Sequence, residues 1–251
     1  MVFGFTMLKS SVLFIALLAA ILVEAKYISR EKVPYVVSIK EADNHICSGT
    51  ILRGNWVLTS PQFVYDKQPK DLLVVMGTVD KTDSKALSVH VKKIKVHPNY
   101  DYMDFAYFFA LLKTKEDISY SKLVLPIELP TAPTKPAENL LAFGWKLKGD
   151  KKPTNNLLVK NVTSLEKYVC GDYHCVQYEP HKSTLAIKNN KEFDTYEEDF
   201  SDIGGPVVNK NKQIVGVIQI VSKPTDPKRS GLCAKVYEGL TWINEMLKDN
   251  Y

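Results

Sequence analysis

Four cysteines, Cys47, Cys170, Cys175 and Cys233, give this chain its widest chemical repertoire, and in an oxidising compartment they allow three disulfide pairings. Only Cys170 and Cys175 are close in sequence. His174 lies between them, so Cys170, His174 and Cys175 offer three zinc-ligand types, but nothing supplies the fourth that closes a structural site. His90, His174 and His181 fit no ligand pattern with acids or cysteines and read as surface residues. Neither a metal nor a cofactor is expected. Asn161, Val162 and Thr163 form an N-glycosylation sequon.

Both the cysteines and the sequon depend on the route the chain takes. Lys9 gives a positive start, and Ser11 to Val23 is an apolar stretch shorter than the about 20 residues a spanning helix needs. Val23 and Ala25 stand at the spacing a signal peptidase accepts. The sequence therefore predicts a signal peptide over 1–25, a mature chain from Lys26, a secreted, extracellular protein and no membrane span. Of the 251 residues, 45% are hydrophobic and 24% charged, which excludes disordered, collagen-like and coiled-coil architectures. The net charge of +5 comes from 33 basic and 28 acidic residues scattered along the chain, without the clustered arginine of a nucleic-acid binder.

The elements that must position these residues are short strands. Runs rich in valine, isoleucine and leucine at Val33–Ile39, Ile46–Leu52, Trp56–Thr59, Leu72–Met76 and Ala86–Val96 form one set. A second set lies at Leu140–Trp145, Leu157–Val162, Thr184–Ile187, Pro206–Val208, Ile214–Val221 and Leu232–Val236. Many short strands between turn signals indicate barrels or a sandwich. Between the sets, Pro126, Pro130, Pro133 and Pro136 interrupt a stretch that cannot sit inside a sheet. At the end, Leu240, Ile243 and Leu247 fall at helical spacing beside Trp242, so an amphipathic helix closes the chain.

Three collinear segments resemble the trypsin and chymotrypsin family of secreted serine peptidases. CSGTILRGNWVLTSPQF at Cys47–Phe63 is similar to CGGSLI followed by WVLTAAHC; HPNYD at His97–Asp101 with FALLKT at Phe109–Thr114 is similar to HPxYD and DIALLKL; SDIGGPVV at Ser201–Val208 with IVGVIQI is similar to GDSGGPLV and LVGIVSWG. PYVVSI, AFGW at Ala142–Trp145 and the helix containing TWI add lesser landmarks. The resemblance implies an all-β fold of two perpendicular six-stranded antiparallel barrels with a cleft between them and a C-terminal helix. It divides the mature domain of 26–251 into an N-terminal barrel over 26–125, a linker over 126–136, and a second barrel with the helix over 137–251.

The family's chemistry uses a serine nucleophile, a histidine base and a buried aspartate that orients and stabilises the histidine. By the resemblance these positions fall on Ile203, Gln62 and Phe108, with Asp104 four residues out of register. The oxyanion glycine falls on Ser201, and the substrate-pairing edge on Gln219, Ile220 and Val221, whose last two would narrow the cleft. From these substitutions the chain is expected not to be an enzyme. The resemblance is to non-catalytic protease homologues of the kind found in insect secretions. It implies action by binding, as cofactor, decoy or regulator in an extracellular protease or secretory-fluid pathway. The partners it implies are extracellular proteins such as an active serine protease or its substrate. The alternative is an atypical hydrolase with displaced residues such as Ser201 and His45.

The same resemblance leaves the family partners of Cys47 and Cys170 as Phe63 and Ala186, and places Cys233 where no cysteine is usual. It implies a Cys170 to Cys175 bridge, with Cys47 and Cys233 either free or used between molecules. Glu197 falls where trypsins carry the aspartate that selects basic side chains; it is either a relic of that pocket or one acid in the run Glu197, Glu198, Asp199. Asp202 keeps the family aspartate that pairs with the new amino terminus after activation, yet no clear IVGG segment precedes it. A precursor-like lock is therefore expected, with Asp202 beside His45 and Ser38 behind.

Overall fold

The computed structural model describes residues 28–145, 155–166, 182–189, 203–220 and 231–248. Six strands, β1 (Val36–Glu41), β2 (Asn44–Ile51), β3 (Trp56–Thr59), β4 (Leu72–Met76), β5 (Leu87–Val96) and β6 (Ala110–Thr114), close into an antiparallel barrel in the order β1-β2-β3-β6-β5-β4. Six more, β7 (Asn139–Gly144), β8 (Leu158–Leu165), β9 (Thr184–Asn189), β10 (Pro206–Val208), β11 (Ile214–Ile220) and β12 (Gly231–Lys235), close a second in the order β10-β11-β12-β9-β8-β7. Closure leaves neither barrel an open edge. The helix α1 (Val236–Lys248) follows β12 directly.

Eleven of these strands coincide, within a few residues, with the runs read from the sequence. β6 does not, and the reason is physical. All five of its residues are buried, with Ala110 and Leu112 in the first barrel's interior and Leu111 on the opposite face. Its sequence ALLKT carries no valine, isoleucine or aromatic residue, so the composition that marks the other runs is missing. Between β6 and β7 the proline-marked segment forms no named strand and is tied down by bridges such as Glu128 to Gln213.

Three apolar clusters account for the interior. Val37, Ile39, Cys47, Leu72, Val74 and Leu112 belong to the first barrel's interior, and Leu140, Val162, Val207, Val215 and Cys233 to the second's. The third is shared: Trp56, Leu58, Phe109 and Leu111 from the first half meet Phe143, Trp145, Val217, Ile243 and Leu247 from the second. Helix α1 presents Val236, Gly239, Ile243 and Leu247 to this shared core, while Leu240, expected in the buried stripe, is only partly covered. Gly239 is where the helix comes closest; a Cβ there would meet the Phe109 ring at 2.7 Å. No helix among the described residues is long and apolar enough to cross a membrane.

Among the described residues neither Cys47 nor Cys233 is in a disulfide, and both are fully buried, one in each barrel, with Cys47 Sγ 3.8 Å from the Thr59 hydroxyl. Full burial places both thiols out of reach of a second molecule. Burial pushes the Cys233 thiol up, keeping it protonated.

His97 stands at the end of β5 inside an aromatic enclosure. Its ring stacks on Tyr107 at 4.5 Å and faces Trp242 of α1 at 5.0 Å, and Nδ1 accepts a hydrogen bond from the Asn99 amide at 3.1 Å. Burial holds its pKa below the usual 6.5. The unfolded chain therefore binds a proton here more readily than the folded one, and stability falls as pH drops below 6.5. His97→Phe should flatten this acid limb of the stability curve, measured by urea unfolding at several pH values between about 4 and 7.5. An unchanged limb would show that His97 protonates equally well in both states.

Candidate functional site

Four segments from both halves converge where the chemistry was sought. The first is the turn 203–205 ahead of β10. The Ser48 amide donates to the Ile203 carbonyl at 3.1 Å, the Gly204 amide donates to the Ile218 carbonyl at 2.9 Å, and the Ile218 amide donates to the Gly205 carbonyl at 2.9 Å. One turn is thus pinned to β2 and β11 together. Gly204 has φ +86°, and a Cβ on it would collide with the Ser48 carbonyl oxygen and the Thr59 hydroxyl. Thr59 in turn donates to the same Ser48 carbonyl at 2.7 Å. Only glycine satisfies both the left-handed backbone and the space.

The second segment is the short 3-10 turn Pro61–Phe63 after β3. Ser60 caps it weakly, its hydroxyl accepting from the Gln62 amide at 3.5 Å, and Pro61 pre-sets the first helical φ. Gln62 is half-buried, and its Oε1 is buried without a hydrogen-bond partner. Such an orphan acceptor is costly and marks either strain or a place for a donor.

The third is the loop 101–109. Asp101 accepts from the amides of Met103 at 2.8 Å and Asp104 at 3.2 Å, and it exchanges two backbone bonds with Ala106. This tight loop puts two aromatic residues, Phe105 (φ 51°) and Tyr107 (φ 47°), in left-handed backbone that L side chains rarely adopt. Phe108 is fully buried among Tyr100 (4.9 Å), Phe105 (6.0 Å) and Tyr102 (6.1 Å). The loop is moored to the second half by the Tyr107 amide donating to Ser183 Oγ at 3.0 Å. The Gln219 amide group adds a second tie, donating to the Phe105 carbonyl at 3.4 Å. Gln219 lies on β11, the fourth segment, and its Oε1 is a second buried acceptor without a partner.

Beside this convergence lies an exposed rim. Tyr65, Tyr102 and Met103 expose 61%, 55% and 79% of their surface. Burial first, then the charges of Tyr65 and Tyr102, push the Tyr100 hydroxyl above its usual range. Sequence reasoning passed over this rim and both orphan oxygens. The density of Tyr100, Tyr102, Phe105, Tyr107, Phe108 and Phe109 was the available signal.

Of the residues singled out in sequence, Gln62, Phe108 and Ile203 occupy three of the four converging segments. An amide and two hydrocarbons neither release a nucleophile nor hold a proton at neutral pH. Ser38 and His45 are brought together, Ser38 Oγ to His45 Nδ1 at 2.7 Å, with the imidazole 5.5 Å from the Trp145 ring. Asn161 is exposed on β8, and His90 is exposed on β5. Cys170, His174, Cys175, His181, Glu197, Ser201, Asp202 and Val221 lie outside the described residues.

Two closed antiparallel barrels with a shared core, a site where turns of both halves meet, and a C-terminal helix define the trypsin-like fold. The Trypsin family model matches residues 23–243, and the chain belongs to that family. It is 27% identical over 228 residues to Trypsin 5G1 of Aedes aegypti, covering 86% of this chain and 81% of that one. It is 26% identical over 218 residues to Chymotrypsin-2 of Vespa crabro, covering 86% and 95%. Among solved structures it is similar to the scabies mite inactivated protease paralogue S-D1, with a TM-score of 0.75, 22% identity and coverage of 89% and 96%.

These findings correct one expectation. The chain was read as a non-enzyme from three side chains, whereas the family match extends over nearly its whole length and its curated relatives are named trypsin and chymotrypsin. The fold that holds a peptidase site is present entire in the barrels. Three substitutions do not remove a chain from an enzyme family, because scaffold, cleft and binding surfaces contribute to its chemistry independently of the triad.

The seat of the 203–205 turn yields a direct test. Gly204→Ala should cost about 3 kcal/mol, about 1 from the left-handed backbone and about 2 from the overlap with Ser48 and Thr59. Urea unfolding would show a lower midpoint at unchanged slope. An undisturbed midpoint would mean that the turn can leave its seat freely.

Proposed function

We propose that this trypsin-family chain is a secreted glycoprotein, carrying its glycan at Asn161, and that it acts by binding an extracellular protein. The role is that of a cofactor, decoy or regulator in a protease or secretory-fluid pathway. The partner is an active serine protease or that protease's substrate. One observation carries this reading: exposed Tyr65, Tyr102 and Met103 crowd the edge of the site, next to a loop held in strained backbone at Phe105 and Tyr107. Exposed aromatic and methionine side chains are the anchors of protein interfaces, and strain concentrates where a surface is kept for use. The scabies mite neighbour, named an inactivated protease paralogue, supports a role for this fold beyond cleavage.

A second reading is favoured by the family match itself: hydrolysis by displaced residues, with Ser201 as nucleophile and His45 as base. In that case the Ser38 contact would orient the imidazole, since the Ser38 hydroxyl lies 2.7 Å from Nδ1.

Both readings are separated in one set of measurements. Full-length protein is added to a purified trypsin-class protease and its protein substrate, and the rate of substrate processing is followed. Under the binding reading the rate changes in a dose-dependent, saturable way, and Tyr102→Ser with Met103→Ser weakens the effect at least about tenfold, as loss of two interface anchors would. Under the second reading the protein alone turns over a peptide amide and loses that turnover with Ser201→Ala. No effect on the protease and no dependence on the rim residues would overturn the binding role. Protein secreted by cultured cells should lose mass on N-glycosidase treatment, and Asn161→Gln should abolish that shift.

A further inference from the structure

The outer face of β5 carries charge of one sign. From Ser84 to Tyr100 the chain carries Lys85, Lys92, Lys93 and Lys95 and no acidic residue. Val89 and Val91 pack toward the first barrel's core, so uninterrupted alternation would turn Lys93 and Lys95 inward as well. The register shift between Val91 and Lys93 prevents this. Val91 lies opposite Thr114 and Lys93 opposite Lys113, leaving Lys92 as an extra residue, after which Ile94 and Val96 return to the core. Lys92, Lys93, Lys95 and His90 are all exposed. A bulge re-aims side chains, and this one gathers three cations onto about 10 Å of strand.

Their surroundings do not neutralise them. On one side β4 reads LLVVM; on the other, β6 places buried Lys113 opposite Lys93, with its ammonium 5.3 Å from the Trp56 ring centroid, so β6 brings no acid to the face. The turn Pro69–Asp71 beside β5 brings Lys70 and Asp71, which cancel. Lys115, whose amide donates to the His90 carbonyl, stands with Glu116 at 3.9 Å in an exposed pair of little strength. Lys92, Lys93 and Lys95 make no ion pair among the described residues.

We infer that this face is a binding surface for a sulfated polysaccharide. The cations are lysines, compact point charges, with no arginine fork for bidentate recognition of a single group. β5 carries no aromatic side chain on which a base could stack, which disfavours single-stranded nucleic acid. What remains is an exposed row of charges along one strand, matched by an extended chain bearing an anion on successive units.

The test uses full-length protein, immobilised heparin and a salt gradient. The parent is retained at about 0.15 M salt, where charges more than about 8 Å apart are screened and only close contacts hold. The triple variant Lys92→Ser, Lys93→Ser, Lys95→Ser loses this retention. A control with the same change in charge, Lys210→Ser, Lys212→Asn, Lys248→Ser, elutes with the parent. The slope of log affinity against log salt falls by about one for each β5 lysine removed, so Lys92→Ser alone gives a third of the effect if the triple variant folds poorly. Absence of retention by the parent, or equal losses in both triple variants, overturns the surface. An oligonucleotide of matched charge held equally tightly through the same three lysines overturns the polysaccharide.

Discussion

The seating of the 203–205 turn is the contact on which the site depends. Its peptide groups bond to Ser48 on one side and Ile218 on the other, and Gly204 is pressed so closely against Ser48 and Thr59 that no side chain fits. A few atoms of backbone therefore fix the distance between β2 of the first barrel and β11 of the second. The shared core of Trp56, Phe109, Trp145 and Ile243 supplies the adhesion, which apolar burial gives without direction. The turn supplies the registration. A site built from turns of two barrels needs both, because burial alone would tolerate sliding that would separate Ser48 from Ile203.

On this frame the loop 101–109 carries the local strain. Asp101 closes it from within, and the bonds to Ser183 and Gln219 hold it from without. Left-handed backbone at two aromatic residues costs on the order of 1–3 kcal/mol each, and it persists because these ties and the packing around Phe108 over-determine the loop. Gln219, which ties the loop at Phe105, also carries a buried oxygen without a partner among the described residues, so polar cost and backbone cost meet at that contact.

Most of the barrels was legible in the sequence because runs rich in valine, isoleucine and leucine stand between turn signals. β6 escaped because ALLKT lacks valine, isoleucine and aromatic residues, and the deep stripe of α1 shifted from Leu240 toward Gly239 because Phe109 leaves room only for glycine there. Neighbouring motifs singled out Gln62, Phe108 and Ile203, but no motif gave their meaning. Tyr102 and Met103 carry no motif, and the positive φ of Phe105 and Tyr107 follows from tertiary ties that local sequence does not encode. Family membership rests on the whole length of the chain and corrected what three side chains had suggested.

The bulge in β5 has a bearing on how this surface can change over generations. Between Val91 and Val96, Lys92 is the one residue without an opposite number on β6. Loss of its codon would leave Val91, Lys93, Ile94, Lys95 and Val96 in plain alternation, with every apolar residue still facing the core. Gain of a codon at the same point restores the kink. Length variation, ordinarily ruinous inside a closed barrel, would at this bulge alter surface charge and leave the hydrogen-bonded ring closed.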